Sequence, residues 1–142
     1  MNKNAKKWVA ALRGGKYGQG QDALRNGDQF CCLGVACDLY MQETGKGKWR
    51  KAPELKELTR MTEPYRFTLG GPKNSSAYDL PERVREWLGL RTGVGSLSIE
   101  TGNELNIPGS TLADANDKGW KFQKIADLIE KYDKELFIYE RK

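Results

Sequence analysis

The sequence predicts an α+β fold, with several short helices packed on a small, mainly antiparallel sheet in a single domain over residues 1–142. Three observations predict it. Apolar residues recur at helical spacing in separate stretches, clearest over 4–13, 32–41 and 121–132. Asn26-Gly27 sits between Ala23-Leu24-Arg25 and Asp28-Gln29-Phe30, a strong hairpin signal because both turn positions need positive φ. Finally, 142 residues with four Trp, six Tyr and four Phe are enough for one core, and no repeat or linker divides them.

The elements follow in order. Ala5, Trp8, Val9 and Leu12 line one face of a helix over 4–13 that Gly14-Gly15 stops. A Gly- and Gln-rich stretch runs from Lys16 to Asp22, and then comes the Asn-Gly turn. Cys32, Val35, Ala36, Leu39 and Tyr40 form a buried helical stripe. Residues 42–53 read as a charged loop, and 54–61 as one or two helical turns around Leu55 and Leu58. Tyr65-Arg66-Phe67-Thr68-Leu69 alternates as a strand, which Gly70-Gly71-Pro72 ends.

Pro81 suits the first position of a helix whose inner face is Val84, Trp87 and Leu88, and Gly89 closes it. Residues 91–109 are rich in Gly, Ser and Thr, with a strand expected at Ser96–Ile99. Ser110 or Thr111 caps a short turn. Asn116-Asp117-Lys118-Gly119 reads as a turn into the helix over 121–132, which carries Phe122, Ile125, Ala126 and Ile129 at i, i+3, i+4 and i+7. Leu136-Phe137-Ile138-Tyr139 reads as a last strand.

Composition excludes several chemistries. The chain has no histidine, so no imidazole activates a nucleophile or binds a metal. Three cysteines, two of them adjacent, make a poor disulfide framework and read as reduced thiols. There is no apolar run long enough for a membrane span and no apolar segment after the basic N-terminus, so a cytoplasmic protein without membrane contact is expected. Charge is unevenly placed. Residues 1–25 carry six basic side chains against Asp22, and the rest of the chain balances. Lys46, Lys48, Arg50 and Lys51 make a second basic cluster around Trp49. Both attract anions.

One block carries a resemblance. Leu12-Arg13-x-Gly15-x-Tyr17-x-Gln19 is followed by Leu24-Arg25-x-Gly27-Asp28-x-Phe30-Cys31-Cys32-Leu33-Gly34-Val35-Ala36-Cys37-Asp38. With Leu80-Pro81-x-x-Val84-x-x-Trp87-Leu88-Gly89-Leu90 and Asn116-Asp117-x-Gly119-x-x-Phe122-x-x-Ile125-Ala126-x-x-Ile129, it resembles a group of small bacteriophage and prophage proteins without an assigned activity. The likeness spans most of residues 8–130. It implies an accessory protein, acting in the host cytoplasm, that binds host machinery or host defences.

Cys31 or Cys32 is a candidate nucleophile if the N-terminus of the 32–41 helix favours a thiolate, with Asp38 too far along to serve as a strong base. Against that stands the common fate of cysteine, which is burial. Cys31-Cys32-x4-Cys37 lacks zinc spacing, and Asp114 to Gly119 fails as a calcium loop because Lys118 occupies a ligand position, so neither metal nor cofactor is expected. The segment Gly14 to Gly20 is neither a Walker nor a Rossmann fingerprint, yet small residues let backbone amides approach a phosphate.

Arg13, Lys16 and Arg25 would pair its charge, and Tyr17 or Trp8 would stack a base. Gln19 completes the candidate contacts in this stretch, and the resemblance adds Asn116 and Asp117, an Asn-Asp pair that recurs in the phage group. The leading expectation is a binding protein for a phosphate-bearing ligand, either a nucleotide signal or nucleic acid. The alternatives are an inhibitor that binds a host protein, and a histidine-free enzyme using Cys or a convergence of Asp38, Asp114 and Asp117.

Overall fold

The computed structural model describes residues 1–138. Helix α1 (Lys3–Arg13) buries Ala5, Trp8, Val9 and Leu12, and Asn2 caps it by accepting from the Ala5 amide at 2.8 Å. Three two-residue strands follow: β1 (Gly18–Gln19), β2 (Arg25–Asn26) and β3 (Gln29–Phe30). The sheet order is β1-β3-β2, with β1 parallel and β2 antiparallel to β3. The hairpin forms, but its turn residues are Gly27 and Asp28, one place later than expected. Gly27 alone has positive φ, at 58°, because Asn26 is spent pairing with Gln29.

Helix α2 (Cys32–Thr44) crosses the middle of the molecule, buried over most of its length. It lies so close to the segment leading into β2 that a Cβ on Gly34 would stand 1.8 Å from the Leu24 carbonyl oxygen. The region expected to be a charged loop contains strand β4 (Lys48–Lys51). It pairs antiparallel with β5 (Tyr65–Thr68), which pairs with β6 (Ser75–Ser76), in the order β4-β5-β6. A single 3₁₀ turn, Pro53–Lys56, replaces the helical turns expected over 54–61. There are thus two small three-stranded sheets. The Asn26 side chain joins them by accepting from the Glu63 amide at 2.7 Å.

Helix α3 (Glu82–Leu88) has Pro81 as its N-cap, one place earlier than expected, and Gly89 ends it at φ 77°. The strand expected at Ser96–Ile99 is not formed. Ser96 makes one bridge to Thr111, and Ser98 caps helix α4 (Ile99–Glu104), accepting from the Thr101 amide at 3.1 Å. Thr111 caps α5 (Leu112–Lys118), accepting from the Asp114 amide at 3.0 Å. Asn116, Asp117 and Lys118 are therefore the last turn of α5 rather than a loop, and Gly119 closes that helix at φ 105°.

Helix α6 (Phe122–Lys131) is amphipathic as its spacing predicts. Leu136 ends a short helix α7 (Asp133–Leu136) and Phe137 makes a single bridge to Leu90, so no strand forms there among the described residues. Tyr139, the expected end of that strand, lies outside them.

One large core unites these elements. Trp8 lies wholly inside it and donates its indole N–H to the Cys32 carbonyl at 2.8 Å, so it belongs to the packing and stacks no ligand. A satellite core of Ala23, Ala52, Leu55, Met61 and Ala77 is separate. Among the described residues no helix is long and apolar enough to cross a membrane.

Candidate functional site

The Gly-rich stretch and the end of α5 are almost a hundred residues apart, and they meet. Asn116 is fully buried. Its Oδ1 accepts from Gln19 Nε2 and from the Cys32 amide, both at 3.1 Å, and its Nδ2 donates to the Gly20 carbonyl at 2.8 Å. Gln19 Nε2 also donates to the Trp120 carbonyl at 2.7 Å, while Gln19 Oε1 accepts from the Phe122 amide at 3.1 Å. Two side chains thereby satisfy first-turn amides of α2 and of α6, groups that helices cannot satisfy internally. One residue further on, Asp117 Oδ1 accepts from the Asp22 amide at 2.9 Å, holding Asp22 at φ 70°. Burial raises the Asp117 carboxyl above the usual carboxylate range, and the Asp22 N–H offsets this only in part.

Beside this knot lies a cleft of about 300 Å³ lined by Gln19, Gly20, Gln21, Gln29, Gly119 and Lys121. None of the six is acidic. Lys121 is the N-cap of α6, where the helix dipole is positive, and no acid lies within 4.0 Å of its amine among the described residues. A second hollow, of about 240 Å³, has the opposite character: Asp22, Asp79 and Asp117 contribute to its lining beside Tyr78 and Cys31. A third cavity, of about 330 Å³, is lined by Lys51, Lys56 and Glu63 among others, with Lys51 and Glu63 ion-paired at 3.3 Å.

The remaining expected contacts lie elsewhere. Tyr17 donates its hydroxyl to Asp38 Oδ2 at 2.7 Å, and Asp38 also accepts from Gln42 at 2.7 Å and from the Trp49 indole at 3.1 Å. Burial and the Asp38 carboxylate raise the Tyr17 hydroxyl far above its ordinary range, so it stays protonated as the donor. Its ring meets Phe30 edge-on, and Phe30 meets Trp49. Arg25 lies across this cluster, 4.0 Å from the Tyr65 ring centre and 5.3 Å from that of Phe30, and donates Nε–H to the Gly27 carbonyl at 2.8 Å.

Arg13 is bound by Asp127 at 2.5 Å and by Glu130, both on α6. Lys16 is exposed. The structure therefore brings together Gln19, Asn116 and Asp117. It places Tyr17, Arg25 and Asp38 in an aromatic cluster of their own, and assigns Arg13 to the α1–α6 seam.

The cysteines are embedded in the core. Cys31 is the N-cap of α2, its Sγ accepting from the Gly34 amide at 3.4 Å, and burial pushes its thiol up to about 12. Cys32 and Cys37 are raised well above the ordinary thiol value for the same reason. Burial thus outweighs the helix N-terminus as a control on the thiolate. All three are free, and among the described residues no group of His, Cys, Asp and Glu is disposed to hold a metal. Asp114 is bound to the Thr111 hydroxyl at 2.6 Å, so Asp38, Asp114 and Asp117 each have a different partner.

Sequence reasoning missed Gln21, Gln29 and Lys121. Lys121 was detectable as the residue before the first apolar position of α6, but the two glutamines carry no pattern of their own. A family model matches residues 1–133, and that family is described as a domain of unknown function (DUF8296). The chain belongs to this family. No curated protein and no solved structure matches it.

Proposed function

We propose that the protein captures a small phosphate-bearing ligand, of nucleotide type, in the cleft lined by Gln19, Gly20, Gln21, Gln29, Gly119 and Lys121. The observation that supports this most is the electrostatic contrast between neighbours. This cleft is lined only by amide, glycine and lysine groups at the positive end of a ten-residue helix, whereas the hollow beside it is acidic. At about 300 Å³ it has room for a phosphate and its sugar, at the low end of small-molecule sites.

Gln19 and Asn116 hold the walls, since their hydrogen bonds are already committed inward. Gln21, Gln29 and Lys121 are exposed and supply the contacts. Arg13 and Arg25 have internal partners and do not carry the reading. In the phage setting that the sequence resembles, such capture would withdraw a nucleotide signal from a host defence.

The test is direct. Purified protein is passed through a nucleotide-rich cell extract, washed and denatured, and the released small molecules are identified by mass spectrometry. A phosphate-bearing compound at near-stoichiometric yield is expected, and Lys121→Glu should lose it while the variant melts like the parent. Folded protein that releases nothing, or a Lys121→Glu variant that retains the compound, overturns the reading.

A further inference from the structure

The second sheet has two unlike faces. The register opposes Trp49 to Phe67 and Arg50 to Arg66. Trp49 and Phe67 turn inward and meet at 4.9 Å between ring centres. Alternation then places Lys48 and Arg50 of β4, and Arg66 and Thr68 of β5, on the outer face. Ser75 of β6, opposite Thr68, adds a second hydroxyl there. Two like charges directly opposed across a ladder cost stability. Here the only acid joined to them is Glu54, 3.3 Å from Arg66 Nε, and among the described residues neither Lys48 nor Arg50 has an acid within 4.0 Å.

We infer that this outer face docks the sugar-phosphate backbone of double-stranded nucleic acid without reading its bases. Three features select that occupant. The cations are carried on paired strands, so they present a fixed array to a regular array of phosphates, with Thr68 and Ser75 as further donors. The aromatic rings are all on the other side, so the stacking platform that single strands use is missing. A protein partner would need an apolar or aromatic anchor at the centre of the patch, and this face has none. The surface is separate from the glutamine-lined cleft and does not depend on it.

The experiment titrates a fluorescently labelled DNA duplex with the whole protein at several salt concentrations. Three backbone contacts predict an affinity that falls about 40-fold between 50 and 200 mM salt. Arg50→Gln and Arg66→Gln should each weaken binding and lower the salt slope by about one. Lys48→Glu on edge strand β4 should weaken it further with the melting temperature unchanged, which separates loss of binding from loss of fold. Lys121→Glu, at the cleft, should leave duplex binding intact. Affinity independent of salt, equal binding by the Lys48→Glu/Arg50→Gln double variant, tighter binding of single strands, or no binding at 50 mM salt would each overturn the proposal.

Discussion

Asn116 shows how much one buried amide can be asked to hold. Its oxygen and nitrogen satisfy the Cys32 amide, the Gln19 amide group and the Gly20 carbonyl, in a site closed to water. Replacing it with Ala strands those groups, at about 1–3 kcal/mol each where they stay buried. Asn116→Ala should therefore lower the melting temperature by roughly 10 °C or more, read by circular dichroism. Gly34→Ala is harsher, since the new Cβ meets backbone at Leu24 rather than a side chain that can move, and soluble folded protein is not expected.

Asp117 acts in the other direction. Its folded-state value is raised, so the native chain holds that proton more tightly than the unfolded chain does. The group stabilises the fold at acid pH and subtracts from stability as pH rises through the folded value. Asp117→Asn keeps an acceptor for the Asp22 amide and cannot ionise. It should be more stable than the parent at neutral pH, with the difference shrinking toward acid pH in thermal melts. The cysteines predict a simple labelling result: a thiol reagent at about pH 8 leaves all three untouched in the native protein and labels all three in denaturant.

Among the elements, those with a complete apolar stripe were legible in the sequence. Helices α1 and α6 bury the residues that their spacing marks, because a one-sided stripe needs no knowledge of its partner, whereas α2 is buried nearly all round, Leu33 and Cys37 included, and leaves the expected Leu39 only half-buried. Strand β4 was not legible. Lys48-Trp49-Arg50-Lys51 has one apolar residue, and only the presence of β5 beside it makes a strand of it. Ser96-Leu97-Ser98-Ile99 alternates as a strand would, yet Ile99 points to solvent as the first residue of α4 and Ser98 is its cap.

For the site, the Gly- and Gln-rich stretch holds Gln19 and the resemblance to the phage group marks Asn116-Asp117, and Gln19 and Asn116 do meet. The arginines were legible as charges but not as partners, because Asp127 and Glu130 lie more than a hundred residues from Arg13. This seam gives its own prediction. The pairing is exposed to solvent, so Arg13→Ala should leave the midpoint of a denaturant titration almost unchanged, and it should leave ligand release from the cleft unchanged.

At the scale of the whole molecule, the polar knot between Gln19, Cys32 and Asn116 joins the first quarter of the chain to its last third. Helix α1 also docks on α6, through Arg13 and through the shared core. These contacts are remote in sequence, and remote contacts close late. During synthesis the ribosome would therefore hold a chain whose central helix α2 has no partner for its first amide until residue 116 has emerged. Nascent chains stalled before α5 should be cut readily by protease, and those stalled well beyond α6 should resist it. The same long-range tie that shapes the cleft would hold back folding of this protein until α5 and α6 have left the ribosome.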